Sequence, residues 1–184
     1  MLYCLKRIYK YFLLGLIILA MSNLYASPKA DSLVKQLRNY DESIEKADLL
    51  IKICKTYAVS DRKAAISYGN YALSLSSKLN YFKGKGQSCF YLSYLYYKID
   101  SIQEVVDFGN AATKNFIESN DSLFLGRVYN HLGNYFYKKH FYDKAIVKYL
   151  KALKIYESIN DKNRIGRTTY NIGLIYYQTK NFKK

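Results

Sequence analysis

Apolar and small residues recur along this chain at the spacing of an amphipathic helix, and the whole pattern recurs every forty residues. Within each segment they stand at i, i+3, i+4 and i+7, which places them on one face of a helix. The sets are Cys89, Leu92, Ser93 and Tyr96; Tyr129, Leu132, Gly133 and Phe136; and Thr169, Ile172, Gly173 and Tyr176. The pattern predicts a series of helices that each bury one face.

A second helix follows the first in each period. It carries small residues seven positions apart, with an aromatic residue between them. The small residues are Ala65 and Ala72, Val105 and Ala112, and Ala145 and Ala152, and the aromatic residues are Tyr68, Phe108 and Tyr149. Small residues facing large ones let two helices interdigitate, so each period predicts an antiparallel helix pair.

Residue types that start and stop helices mark both ends of each second helix. Ser60-Asp61, Asp100-Ser101 and Tyr142-Asp143 precede them, and Ser101 with Glu104 has capping-box spacing. Asn80, Asn120 and Asn160 follow them and tolerate the left-handed conformation of a helix C-terminus. We predict helices over 31–38, 42–57, 62–79, 82–98, 101–119, 122–139, 142–159 and 162–179.

A repeat of this length indicates stacked supersecondary units, so the predicted fold is an all-α solenoid of antiparallel helix pairs. We place a short helix and lead-in at 27–41 and the repeat domain at 42–184. The repeats span 42–80, 82–120, 122–160 and an incomplete 162–184. Because residues 181–184 match 141–144, where a second helix begins, we interpret the chain as part of a longer protein. The alternative is a C-terminal edge that pairs with another chain.

The first residues have the pattern of an export signal. Lys6, Arg7 and Lys10 precede an apolar run over 11–21, and small residues follow at Ala26 and Ser27. We therefore predict a signal peptide at 1–26 and an exported protein, periplasmic or secreted. The alternative is an uncleaved N-terminal segment that anchors the protein to a membrane.

The formal net charge is +15, and most of the excess is C-terminal. Residues 123–184 contain thirteen Lys or Arg against three acidic residues, a net charge of +10. Such a surface attracts acidic peptides, anionic glycans or lipid headgroups, and outside the cytoplasm we do not expect nucleic acid as its partner. A solvated lysine-rich face is the alternative interpretation.

The sequence contains few residues that could act as catalytic groups or metal ligands. His131 and His140 have no spacing that suggests a metal site or an oriented base, so we predict no catalytic residue, no cofactor and no enzyme activity. We interpret Gly84 and Gly86 as a linker between helices. Cys54 and Cys89 fit buried free thiols, with a bridge between neighbouring repeats left open.

The residues of each helix pair resemble the tetratricopeptide repeat, in its forty-residue variant from bacterial sensor and regulator proteins. In that family an aromatic residue, Leu-Gly and Tyr on a first helix precede two alanines and an aromatic residue on a second. The best match is Tyr129, Leu132-Gly133, Phe136, Ala145, Tyr149 and Ala152. The resemblance implies a right-handed superhelix whose first helices line a peptide-binding groove.

The resemblance also implies which residues face that groove, namely a second stripe on each first helix. The candidates are Phe90, Tyr94, Tyr97, Arg127, Asn130, Asn134, Tyr137, Arg167, Tyr170 and Tyr177. We expect a protein-binding or peptide-binding scaffold, the exported sensor or interaction region of a bacterial signalling protein, whose partner is a protein or peptide; the basic surface would suit an acidic one. The alternative is an assembly factor that forms homo-oligomers through its C-terminal edge.

Overall fold

The computed structural model describes residues 28–181, with side chains to residue 179. The predicted signal peptide and residues 182–184 lie outside this range. The helices are α1 (Pro28–Gln36), α2 (Ile44–Ser60), α3 (Arg62–Lys78), α4 (Phe82–Tyr97), α5 (Ile102–Glu118), α6 (Ser122–Lys138), α7 (Tyr142–Ser158) and α8 (Lys162–Asn181), with a 3-10 turn at Leu37–Asn39. Each predicted helix is present, and its ends agree within three residues.

The helices stack as an all-α solenoid, which confirms the predicted fold class. α2 packs on α3, α4 on α5 and α6 on α7, and each pair packs on the next, with α8 against α7. The core runs through the stack as a line of buried side chains, among them Leu50, Leu92, Phe116, Leu132 and Tyr149. Within residues 28–181 the secondary structure is helix, turn and coil alone.

The chain reverses direction at residues in the left-handed conformation. Asn80, Asn120 and Asn160 have φ values of 52°, 53° and 56° and end the second helices, as predicted. Asp100 and His140, with φ values of 63° and 60°, play the same part after α4 and α6. These five turns have similar positive φ values, so successive helices from α3 to α8 are connected in the same way.

The predicted caps are present in part. Asp61 caps α3, because its carboxylate accepts a hydrogen bond from the Ala64 N–H at 2.9 Å. At α5, Ser101 is the N-cap residue but its hydroxyl donates to the Glu104 carboxylate, so the capping box is incomplete. The predicted cap of α7 is Tyr142-Asp143, but the helix already begins at Tyr142. Phe141 is therefore the N-cap residue, and Asp143 lies in the first turn.

The predicted linker at Gly84 and Gly86 is wrong, because both glycines lie inside α4 and are buried. A Cβ atom on Gly86 would stand 2.8 Å from the ring of Phe116. Gly86 thus lets α5 approach the first turns of α4 closely, whereas a Cβ atom on Gly84 would stand 2.5 Å from the Ser76 hydroxyl oxygen of α3. Two glycines close together favour a flexible segment, but packing of Gly86 against Phe116 stabilises the helical conformation.

Cys54 and Cys89 are buried free thiols, as predicted, and burial raises the pKa of the Cys89 thiol to about 11. Desolvation disfavours the thiolate, so these side chains act as small apolar groups. Across the part of the chain that the structure describes, no helix combines the length and hydropathy required to cross a membrane.

Candidate functional site

A cavity of about 850 Å³ opens where the first helices α4, α6 and α8 face the same side of the stack. Phe90 and Tyr94 from α4, Arg127 and Asn130 from α6 and Arg167 from α8 contribute to its wall. These helices expose equivalent stripes because they begin at equivalent positions forty residues apart. The repeat geometry therefore brings side chains that are distant in sequence to one site.

Seven of the ten groove candidates line this cavity, and three do not. The seven are Phe90, Tyr94, Arg127, Asn130, Asn134, Arg167 and Tyr170. Tyr97 packs instead on the rings of His131 and Tyr135, and Tyr137 packs on Tyr142. Tyr177 is 69% exposed and does not line the cavity.

Among the described residues, three arginines contribute to the wall and no carboxylate does. Arg127 is held by aromatic rings, with its guanidinium carbon 4.4 Å from the ring centre of Phe124 and 5.0 Å from that of Phe90. Asp161 caps α8 and pairs with Arg164: the hydrogen bond from the Arg164 backbone N–H, and then that from its guanidinium, lower the pKa of the Asp161 carboxyl. Arg127 and Arg167 form no ion pair with any described residue, so their charge is available to a ligand.

Asparagines bridge α6 and α8 beside the arginines. The Asn134 side-chain oxygen accepts hydrogen bonds from the Tyr149 hydroxyl at 2.8 Å and from the Asn171 amide at 3.4 Å. The Asn130 oxygen accepts from the Thr168 hydroxyl at 3.4 Å. These contacts occupy the amide oxygens and leave the Asn130 and Asn134 amide hydrogens for an acceptor in the cavity.

His131 forms part of the cavity wall and is 8% exposed. The Ser93 hydroxyl donates to the Val105 carbonyl at 2.8 Å, so at 3.0 Å its oxygen accepts from the protonated Nε2 of His131. Burial lowers the pKa of His131 to about 4. The ring is therefore neutral at pH 7 and carries its proton on Nε2, with Nδ1 as an acceptor.

We expect acid to destabilise the fold through His131. Its pKa is about 4 in the folded protein against an ordinary 6.5, so the unfolded chain binds more protons between these values. Stability conferred by the neutral ring is present above pH 6.5 and falls as the pH is lowered towards 4, by about 3 kcal/mol in total. Urea unfolding across this pH range measures the slope.

The matched variants for this measurement are His131→Gln and His140→Gln. The first removes the buried titrating group and is expected to flatten the slope between pH 4 and 6.5, whereas the second changes an exposed residue and leaves it. An unchanged slope in His131→Gln would show that other groups cause the acid sensitivity.

Six residues of the cavity wall were not among the groove candidates: His131, Tyr156, Arg164, Gly166, Thr168 and Asn171. His131 and Thr168 lie on buried faces of their helices, where a periodic pattern indicates packing. Tyr156 comes from the second helix α7, outside the groove stripe. Arg164 follows Asp161 by three residues, a spacing that by itself indicates a helix-start ion pair.

Within residues 28–181, no group of three or more His, Cys, Asp and Glu side chains is placed to hold a metal ion. The cavity instead offers cationic and amide donors beside aromatic rings. It is suited to an anionic group attached to an apolar or extended body.

No family model matches the chain, and no curated protein matches it. Its fold is similar to solved structures, among them the crystal structure of BtubC (BKLC) from P. vanneervenii, with a TM-score of 0.69. That match has 20% sequence identity and covers 84% of this chain and 67% of that chain. At this identity the similarity concerns the fold alone.

Proposed function

We propose that this chain is a tetratricopeptide-type scaffold that binds an extended acidic peptide segment across α4, α6 and α8. It would serve as the exported sensor or interaction region of a signalling protein. The observation that carries the proposal is the cavity wall, where Arg127 and Arg167 lack acidic partners among the described residues and no carboxylate competes with a ligand.

Guanidinium groups bind carboxylates through paired hydrogen bonds, and such charge-assisted bonds are stronger than neutral ones. The Arg127 side chain loses little conformational entropy on binding, since contacts with the Phe90 and Phe124 rings already hold its guanidinium in place. We infer that an Asp or Glu side chain of the peptide enters the cavity between Arg127 and Arg167.

The surrounding groups suit the rest of a peptide. Tyr94 and Tyr170 are 38% and 66% exposed and offer apolar area with a polar tip. The free amide hydrogens of Asn130 and Asn134 can bind peptide carbonyl groups. Binding would thus combine one charged contact in the cavity with backbone and aromatic contacts around it.

The test uses the full chain and a fluorescein-labelled peptide of alternating Glu and Ser, with fluorescence anisotropy as the measurement. We expect Arg127→Gln and Arg167→Gln each to weaken binding about tenfold, because each removes a charge-assisted contact. Rising salt concentration is expected to weaken binding by the parent protein, since exposed charges are screened.

Arg62→Gln is the control, because it removes the same charge from an exposed position at the start of α3, away from the cavity. A peptide with Gln in place of Glu is the ligand control. Equal affinities for the two peptides, or equal losses in all three variants, would show that the basic surface as a whole attracts the peptide and would overturn the cavity assignment.

A further inference from the structure

A second cavity, of about 340 Å³, lies between the first helices α2 and α4. Lys52 and Lys55 from α2, Lys83 and Gln87 from α4 and Phe124 at the start of α6 contribute to its wall. We call it the lysine cavity, and we call the larger cavity, of about 850 Å³ on α4, α6 and α8, the arginine cavity. The lysine cavity continues the row of first helices towards the N-terminus of the stack.

Aromatic rings separate the two cavities. Phe90 lines the arginine cavity, and its ring centre lies 5.4 Å from that of Tyr91 and 6.1 Å from that of Phe124. Tyr91 and Phe124 both line the lysine cavity. The guanidinium carbon of Arg127, in the wall of the arginine cavity, lies 4.4 Å from the ring centre of Phe124. The cavities therefore share an aromatic partition, and one extended ligand can reach both.

The helix α2 carries the same groove stripe as α4, at an offset of thirty-nine residues rather than forty. Four buried residues of α2 match four buried residues of α4 at this offset: Ala47, Leu50, Ile53 and Cys54 with Gly86, Cys89, Leu92 and Ser93. By the same offset, Lys55 corresponds to Tyr94, which lines the arginine cavity. α2 thus extends the groove by one helix and contributes a lysine where α4 contributes a tyrosine.

The wall of the lysine cavity has an excess of positive charge. Lys83 is paired, with its ammonium nitrogen 3.7 Å from a carboxylate oxygen of Asp121. Lys52 and Lys55 are exposed and form no ion pair with any described residue. Among the described residues, Asp48 is the one carboxylate in this wall. Two ammonium groups are therefore available to an anionic ligand.

We propose that the lysine cavity binds a second carboxylate of the acidic peptide, about six residues along from the one bound between Arg127 and Arg167. This rests on the proposed function, because the first carboxylate anchors the peptide in the arginine cavity. The lysine cavity lies between α2 and α4 and the anchoring arginines lie on α6 and α8, so two helix-to-helix steps of about 8–10 Å each separate the two carboxylates.

The spacing follows from the geometry of an extended peptide. Each residue advances an extended chain by about 3.3 Å, so six residues span about 20 Å. An even number of residues also returns the side chain to the same face of the peptide. The ligand class is therefore an extended peptide with acidic residues at i and i+6. The Gln87 side-chain amide can bind the peptide backbone between them.

The test uses the full chain, fluorescence anisotropy and labelled peptides that are otherwise made of serine. One peptide carries a single Glu, a second carries two Glu six residues apart, and a third carries two Glu two residues apart. We expect the second to bind about fivefold more tightly than the first, as an exposed lysine–carboxylate contact allows. The third is expected to gain about twofold at most, because its carboxylates lie only about 7 Å apart.

The double variant Lys52→Gln/Lys55→Gln is expected to remove the gain of the second peptide and to leave the affinity for the single-Glu peptide unchanged. Arg62→Gln/Lys63→Gln is the matched control, because it removes the same charge from exposed positions at the start of α3. Arg127→Gln is expected to weaken the binding of both peptides.

Asp48→Asn tests the same cavity in the opposite direction. Its carboxylate accepts a hydrogen bond from the Tyr81 hydroxyl at 3.1 Å, and an amide oxygen can accept the same bond. The substitution removes the negative charge from the wall, so we expect the second peptide to bind about twofold more tightly. Asp107→Asn, at an exposed position on α5, is the control and is expected to leave the affinity unchanged.

The two proposals fail separately. Equal affinities for the single-Glu peptide and the peptide with Glu six apart would overturn the second site, while a loss in Arg127→Gln would retain the arginine cavity. Equal losses in Lys52→Gln/Lys55→Gln and its control would also overturn the second site. If the lysine variant weakens both peptides and Arg127→Gln weakens neither, the carboxylate binds in the lysine cavity alone. That result would overturn the proposed function and the two-site binding together.

Discussion

Replacing Phe116 with alanine is expected to lower the free energy of unfolding by about 3–5 kcal/mol, the range measured for deletion of a buried phenylalanine ring. Phe116 is fully buried on α5, and its ring centre lies 5.1 Å from that of Phe124 on the next helix pair. The same ring covers Gly86 of α4. Its removal therefore opens a cavity at the junction of two repeats. Urea unfolding followed by far-UV circular dichroism measures the loss.

The adjacent residue provides the control for this substitution. Ile117 is 54% exposed, so Ile117→Ala is expected to change the free energy of unfolding by less than about 0.5 kcal/mol. A similar loss in both variants would contradict the cavity as its cause, since alanine has the higher helix propensity at both positions.

Gly133→Leu is expected to destabilise the protein by about 3 kcal/mol through overpacking. The Cβ atom alone would stand 2.6 Å from two atoms of the Tyr149 ring. That ring is 1% exposed, and its hydroxyl is bound to Asn134, so it has little freedom to move aside. The clash outweighs the improvement of about 1 kcal/mol expected when glycine leaves a helix interior.

Gly173→Leu makes the same chemical change forty residues later, where nothing lies within 4 Å of the added Cβ atom. We expect this variant to be as stable as the parent or more stable by about 0.5–1 kcal/mol, since only helix propensity changes. Thermal unfolding of both variants measures the difference. Equal destabilisation by the two would contradict the packing assigned to Gly133.

The fold was largely predictable because repetition reinforces a weak local signal. A single sequence window around Leu132 and Gly133 does not by itself predict a helix. Equivalent residues at three positions forty residues apart do predict the helices, and the asparagines predict where the second helices end. The linker predicted at Gly84 and Gly86 shows the limit of local reasoning. For Gly86, the decisive factor is the contact with Phe116, which lies thirty residues further along the chain.

The candidate site was predictable where side chains follow the groove stripe of the first helices. It was not predictable for His131, because burial and its hydrogen bond with Ser93 depend on how α4 and α6 pack. The position of Tyr177 outside the cavity was also not predictable, because the sequence period does not specify which residues of the stripe on α8 lie beside the cavity. Sequence period places residues on helix faces, whereas the angle between helices decides which faces meet.

Arg164 and Arg167 line the cavity from α8, so the affinity for a ligand depends on how firmly α8 is docked. α8 packs mainly on α7, whereas helices such as α6 pack on neighbours before and after them. Arg164 and Arg167 are in place only while α8 is docked, so a detached α8 leaves Arg127 without them. The observed dissociation constant is then the intrinsic one divided by the docked fraction. Substitutions on the α7–α8 contact, such as at Ile175, are therefore able to tune ligand affinity without touching the ligand.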